Sequence, residues 1–178
     1  MGLRRTTTPA AEPVSLAEAK LHLRVDAGDE DSMIGDLIVT ARMTAEERLR
    51  RALMSSGWAL TLDAFPGKIE LPMPPLVTVA SIAYVDSAGA SQQLPSAAYF
   101  VDPTSEPGRV VPLNAWPAVA PRPSAITISY TAGWATAADV PRPIKQWMLL
   151  AVGEMYANRE ALPDGFADRL LDPYRIWR

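Results

Sequence analysis

Cysteine is absent from this 178-residue chain, and histidine occurs only once, as His22. The first absence excludes disulfides, thiolate metal sites and cysteine nucleophiles. A single histidine also leaves no pair of imidazoles for a zinc site. His22 lies inside a short predicted helix, with no aspartate or serine at a helpful spacing, and we interpret it as a helix-surface residue.

An excess of positive charge is missing as well. The chain has 17 basic and 20 acidic residues, a formal net charge of −3, whereas proteins that grip nucleic acid by its phosphates are normally basic. No apolar run approaches the ~20 residues that span a bilayer. With 48% hydrophobic and 21% charged residues, the composition indicates a globular protein of one domain, or one domain with an insertion.

Motifs of known chemistry are lacking too. The acidic stretch from Asp26 to Asp36 does not have the spacing of a calcium loop, Gly67-Lys68 lacks the rest of a phosphate loop, and Ser129 is not flanked by the glycines of a nucleophile elbow. Four carboxylates are free to converge as a hydrolytic pair, although no motif supports this: Asp63, Glu70, Asp86 and Asp102. We predict no enzyme, no metal site and no cofactor.

Two helices are predicted before residue 57. Ser15 and Glu18 form a capping box before a short first helix. A second helix is predicted from Asp31 to Met54, because apolar residues recur at three- and four-residue spacing. Its core face comprises Met33, Ile34, Leu37, Ile38, Ala41, Ala45, Leu49, Ala52 and Leu53. Its charged face comprises Arg42, Glu46, Glu47, Arg50 and Arg51.

Short β-branched or aromatic runs between Trp58 and Trp134, separated by Pro, Gly and Ser, predict five or six antiparallel strands. Helical spacing then returns after Pro143. The pattern predicts an α+β fold with three to four helices, in which a small antiparallel β-module is inserted between the second and third main helices. An extended C-terminal tail follows.

The predicted domain organisation has four parts. Residues 1–13 are a flexible N-terminal arm, and residues 14–57 and 139–168 form the helical domain. Residues 58–138 form the β-module, and residues 169–178 form the tail. Most of the 17 prolines fall in the module, where they suit strand edges and turns.

Two features remain that a simple globular fold does not explain. The charged face of the second helix, with Arg42, Glu46, Arg50 and Arg51, is either a solvated surface or a face that contacts phosphate or another subunit. The tail "RLLDPYRIWR" is either a core-packed terminal strand or an interaction peptide. Tyr, Trp and Arg are enriched at interface hot spots, which favours the peptide.

The order of these elements resembles a known family. "EPVSLAEAKLHLRVD", "DEDSMIGDLIVTARMTAEERLRRAL", a β-region ending "ITISYTAGW", "VPRPIKQWMLLAVGEMYANRE" and a closing "LLDPYR" are similar, in this order, to the head–tail connector (adaptor, or head-completion) proteins of tailed bacteriophages. The type concerned carries an inserted β-module, and it also occurs in phage-like gene transfer agents. The resemblance covers residues 13–175.

This resemblance implies a structural protein without catalytic residues. Family members are made in the bacterial cytoplasm and form a ring, typically of twelve copies, beneath the portal at the head–tail interface of the particle. The ring extends the DNA channel, through which DNA passes without sequence-specific binding, and supports the next tail-side connector, a stopper or tail terminator. No membrane is involved.

The resemblance also assigns a role to the C-terminus, which in such adaptors reaches out and docks on the portal. In this chain the role falls on Leu170, Leu171, Pro173, Tyr174, Arg175, Ile176 and Trp177. From the residues alone, two other functions stay open. One is a carbohydrate- or surface-binding β-module on a helical stalk, and the other is a metal-independent hydrolase.

Overall fold

The computed structural model describes residues 1–160, 162–163 and 165–177. Ala161, Asp164 and Arg178 lie outside the described residues. They include the last position of the predicted tail and two positions of the predicted helical domain. The chain forms two compact units, one of residues Met1–Ala10 with Ser55–Gly133 (the β-unit), the other of Ala11–Met54 with the chain from Trp134 onward (the helical unit).

The helical unit contains α1 (Leu16–Leu23), α2 (Asp31–Leu49) and α3 (Arg142–Asn158). The predicted capping box is present at α1: the Ser15 hydroxyl accepts from the Glu18 N–H at 3.2 Å, and the Ser15 N–H donates to the Glu18 carboxylate at 2.8 Å. The predicted apolar stripe of α3 is buried throughout. Its residues are Ile144, Trp147, Met148, Ala151, Val152 and Met155.

Helix α2 ends five residues earlier than predicted. Arg50 adopts a left-handed conformation (φ 54°), and its N–H bonds back to the carbonyls of Glu46 and Glu47. The prediction continued to Met54 because Ala52 and Leu53 keep the apolar spacing. Both are fully buried, but they lie in the irregular segment that follows the helix.

The β-unit is entirely antiparallel, as predicted, and contains two sheets. Its eight strands are β1 (Gly2–Thr7), β2 (Ser56–Leu62), β3 (Ile69–Leu71), β4 (Leu76–Val85), β5 (Ser91–Gln93), β6 (Tyr99–Asp102), β7 (Gly108–Pro112) and β8 (Ile126–Ala132). The larger sheet has the order β1-β2-β8-β4-β5 and the smaller one β3-β7-β6.

The prediction of a flexible arm at residues 1–13 was wrong. Strand β1 pairs with β2, from Gly2 opposite Thr61 to Thr7 opposite Gly57. The Arg5 guanidinium lies 4.6 Å from the centre of the Trp58 ring. Because β1 has almost no apolar residues, its pairing comes from the backbone of a partner about 50 residues away, which no local pattern reveals. Strand β5 was missed because its three residues, Ser91–Gln93, are polar and exposed, although it pairs locally with β4.

Candidate assembly surfaces

The last residues of the chain fold onto the helical unit. Residues 166–177, the C-terminal segment, contain two 3₁₀ turns, at Asp168–Leu170 and Asp172–Tyr174. Leu171, between them, is fully buried in the helical core. The segment is therefore packed, in contrast to the extended tail that the sequence predicts, because its leucine has a core site within reach.

The segment also completes the end of α2. The Ile176 N–H donates to the carbonyl of Leu49 at 3.0 Å, and Nε of Arg51 donates to the carbonyl of Tyr174 at 3.1 Å. The last carbonyls of a helix have no partner within the helix. The segment thus satisfies one of them with its own backbone.

Ion pairs hold the start of the segment. Arg48 pairs with Asp168 and donates to the carbonyl of Phe166 at 3.3 Å. Arg175 lies 3.8 Å from Asp168 and 3.7 Å from Asp172. These pairs are partly exposed, so each contributes little alone, but together they position the segment.

The predicted docking residues therefore differ in how much of each side chain is exposed to solvent. Leu171 is a core residue, and its burial excludes it from a partner contact while the unit is folded. Leu170, Tyr174, Arg175 and Ile176 are half-buried. Pro173 is exposed, and Trp177 is 71% exposed.

Trp177 is exposed but contacts a neighbouring cation. The Arg175 guanidinium lies 5.1 Å from its ring centre, a cation–π contact. A cleft of about 370 Å³ adjoins the ring. Its lining is Glu47, Arg48, Arg50, Arg175, Ile176 and Trp177.

The predicted contact face of α2 requires correction. Arg42, Glu46 and Arg51 are only 4%, 3% and 5% exposed, so only Arg50 of the four candidates lies on the surface. Arg42 bonds Glu46 at 2.9 Å and Glu12 at 2.7 Å. The prediction from helical periodicity placed all charged residues on the solvent-facing side, and it therefore missed the buried Arg42–Glu46 pair.

A second cleft lies at the opposite end of α2. Its volume is about 290 Å³, and it is lined by Met33, Leu37, Met155, Tyr156, Arg159 and Glu160. The Tyr156 hydroxyl donates to Glu30 at 2.6 Å, and this hydrogen bond raises the pKa of Tyr156. The sequence placed Met33 in the core, but it is 36% exposed.

The smaller sheet exposes two large apolar side chains. Phe100 in β6 and Leu113 after β7 are each 58% exposed. The Leu113 N–H donates to the carbonyl of Ala98 at 3.0 Å, which places Leu113 beside the start of β6. By contrast, Phe65 and Trp116 stack on each other, with ring centres 4.6 Å apart.

Each of the four carboxylates considered for hydrolysis is engaged in a hydrogen bond or an ion pair. Asp86 accepts from the Ala88 and Ala90 N–H groups, Asp63 accepts from Ser124 N–H, and Glu70 pairs with Lys68. Hydrogen bonds from the Ser105 and Thr104 hydroxyls lower the pKa of Asp102 to about 2. A general acid needs a raised pKa, so this shift is in the wrong direction.

The described part of the chain contains no group of three or more His, Asp or Glu side chains arranged to hold a metal ion. None of its helices has the length and apolar character to cross a membrane. His22 is exposed on α1, as predicted.

Comparison with known proteins gives matches in sequence and in fold. Residues 13–89 match the family model of the phage gp6-like head-tail connector protein. Among curated protein sequences, no significant match was found.

Three solved chains are similar over the whole length of this one. They come from the neck of an empty gene-transfer-agent (GTA) particle computed with C6 symmetry (26% identity, TM-score 0.85), from the virion of a native GTA particle (27%, 0.84), and from the neck of a native GTA particle computed with C12 symmetry (24%, 0.82). In each case the alignment covers 100% of this chain and 97% of the other.

Proposed function

We propose that this chain is a head–tail connector, a structural adaptor in the neck of a phage or gene-transfer-agent particle, with no catalytic role; the match of residues 13–89 to the connector family model supports this. The observation that carries this proposal is the full-length match, at a TM-score of 0.85, to a chain in the neck of such a particle. The match includes both units and the C-terminal segment.

In this role the chain forms a ring beneath the portal and extends the DNA channel. Twelve copies are the number we propose, in keeping with the C12 symmetry used for one similar neck. A ring requires two different faces on each subunit, related by a rotation that closes. The net charge of −3 suits a channel through which DNA slides without tight or sequence-specific binding.

The portal contact is assigned to the exposed part of the C-terminal segment. The alignment with a chain from the neck of a GTA particle covers these residues, which supports a folded segment in the assembled state. Arg169, Asp172 and Pro173 are exposed on its two turns. The segment therefore docks as a preformed surface, which avoids the entropy cost of ordering a loose tail.

The tail-side partner is assigned to the β-unit. Phe100 and Leu113 form its exposed apolar site on the smaller sheet. Large apolar side chains exposed together mark interaction surfaces. The partner of this site is the next tail-side connector, a stopper or tail terminator.

Electron microscopy of the particle tests the proposal. We expect this chain between portal and tail, and we expect particles without it to have filled heads and no tails. Density for the chain elsewhere, or normal tails without it, would overturn the proposal. For the portal contact, Arg169→Glu with Pro173→Ser should lower portal binding at least tenfold, while Arg122→Glu in the β-unit should not.

A further inference from the structure

Trp177 is an exposed aromatic side chain, and the cleft at the start of α2 is an open site with largely apolar walls. The indole projects from the helical unit with 71% of its surface exposed. The cleft has a volume of about 290 Å³ and walls of Met33, Leu37, Met155 and Tyr156. Methionine and tyrosine side chains are suitable contacts for an aromatic ring.

The charges around the two sites are complementary as well. Glu47 and Arg50 flank Trp177, and Arg159 and Glu160 flank the cleft. All four are exposed. When the indole enters the cleft, Arg50 can meet Glu160 and Glu47 can meet Arg159. Glu30 is already engaged by the Tyr156 hydroxyl, and Arg175 by Asp168 and Asp172.

A chain cannot fill its own cleft with its own tryptophan. Trp177 lies beside the C-terminal end of α2, where the Ile176 N–H bonds Leu49, whereas Met33 is near the N-terminal end. The sixteen residues from Met33 to Leu49 span about 24 Å at 1.5 Å per residue. The occupant of the cleft must therefore come from another molecule.

We infer that Trp177 of each subunit inserts into the cleft formed by Met33, Leu37, Met155 and Tyr156 of the next subunit. A projection at one end of α2 and a cleft at the other make a head-to-tail contact, the type that closes into a ring. This inference rests on the proposed ring. The tryptophan is an anchor within a larger interface, since a stable contact buries about 800 Å² on each partner.

Cysteine pairs test this contact in assembled necks, because the chain has no cysteine of its own. Trp177→Cys with Met33→Cys should form disulfide-linked multimers on mild oxidation. Trp177→Cys with Met43→Cys is the matched control: Met43 is 56% exposed on the same helix, about 15 Å further along. That pair should stay monomeric, since a disulfide needs Cα atoms within about 7 Å.

Charge reversal provides a second test that keeps Trp177. Arg50→Glu and Glu160→Arg should each reduce the yield of rings at least fivefold, and the double variant should restore it. Trp177→Ala should weaken the contact between neighbouring subunits more than it weakens binding to the portal.

The outcomes separate this inference from the proposed function. Suppose that the ring is present in the neck, but the Trp177/Met33 cysteine pair gives no multimers and the double charge reversal does not restore ring yield. This result overturns the inference and leaves the proposed function in place. The same holds if Trp177→Ala leaves the ring intact but abolishes portal binding, because the tryptophan then belongs to the portal contact. Absence of the chain from the neck overturns both.

Discussion

The backbone N–H of Ile176 bonds the carbonyl oxygen of Leu49 at a distance of 3.0 Å. This contact joins the end of the chain to the end of α2, across 127 residues of sequence. With Leu171 in the core, it makes the C-terminal segment part of the folded helical unit. The surface of the segment is therefore fixed by the fold of this unit.

Leu171→Ala should destabilise the helical unit by about 2–5 kcal/mol, the usual cost of a cavity at a fully buried leucine. Thermal or urea unfolding measures this. The matched control is Leu113→Ala, at a leucine that is 58% exposed, with an expected change within about 0.5 kcal/mol. Equal effects of the two substitutions would contradict the packing of the segment.

Deletion of residues 170–178 should therefore unfold or destabilise the helical unit as well as remove the portal contact. The physical reason is that the deletion removes Leu171 from the core and the Ile176 bond from α2. Circular dichroism at rising temperature would show a lower midpoint for the truncated protein. If the truncated protein has unchanged stability, this result would instead support the extended tail that the sequence predicts.

Arg42→Ala should cost about 3–5 kcal/mol of stability, because it removes a buried cation that bonds Glu46 at 2.9 Å and Glu12 at 2.7 Å. Glu46 also accepts the Leu53 N–H at 3.0 Å, so its displacement would disturb the segment after α2. Urea unfolding checks the value. Arg50→Ala, at the exposed residue that follows the same helix, should change stability by less than about 0.5 kcal/mol.

Asp102 should titrate at about pH 2 in the folded protein, and NMR of its carboxyl carbon measures this. A lowered pKa means that the stabilisation by Asp102 is fully present above the unfolded-chain value near 3.8. It is lost as the pH falls through about 2. Ser105→Ala should raise the pKa of Asp102, whereas Ser81→Ala in β4 should leave it unchanged.

Phe100→Asp should reduce attachment of the tail-side partner while leaving the fold intact, since Phe100 is 58% exposed. Counting tailed particles by electron microscopy measures attachment. Leu21→Asp is the control, at an 81% exposed leucine of α1. If Phe100→Asp particles carry tails as often as the control, the tail-side site lies elsewhere.

The local sequence determined most of the secondary structure of this protein. The capping box at Ser15, the apolar stripe of α3 and six of the eight strands follow from side-chain spacing and turn residues over short stretches. The α+β class and the resemblance to head–tail connectors follow from the order of these elements. Such features depend on neighbours within one or two turns, and therefore a sequence reveals them.

The tertiary structure decided the rest. It paired the polar strand β1 with β2, buried Arg42 against Glu46 and Glu12, and folded the C-terminal segment onto α2. It also left Trp177 exposed beside the exposed charges of Glu47 and Arg50. Each of these outcomes depends on a partner distant in sequence or on the space left in a core, and periodicity carries no information about either.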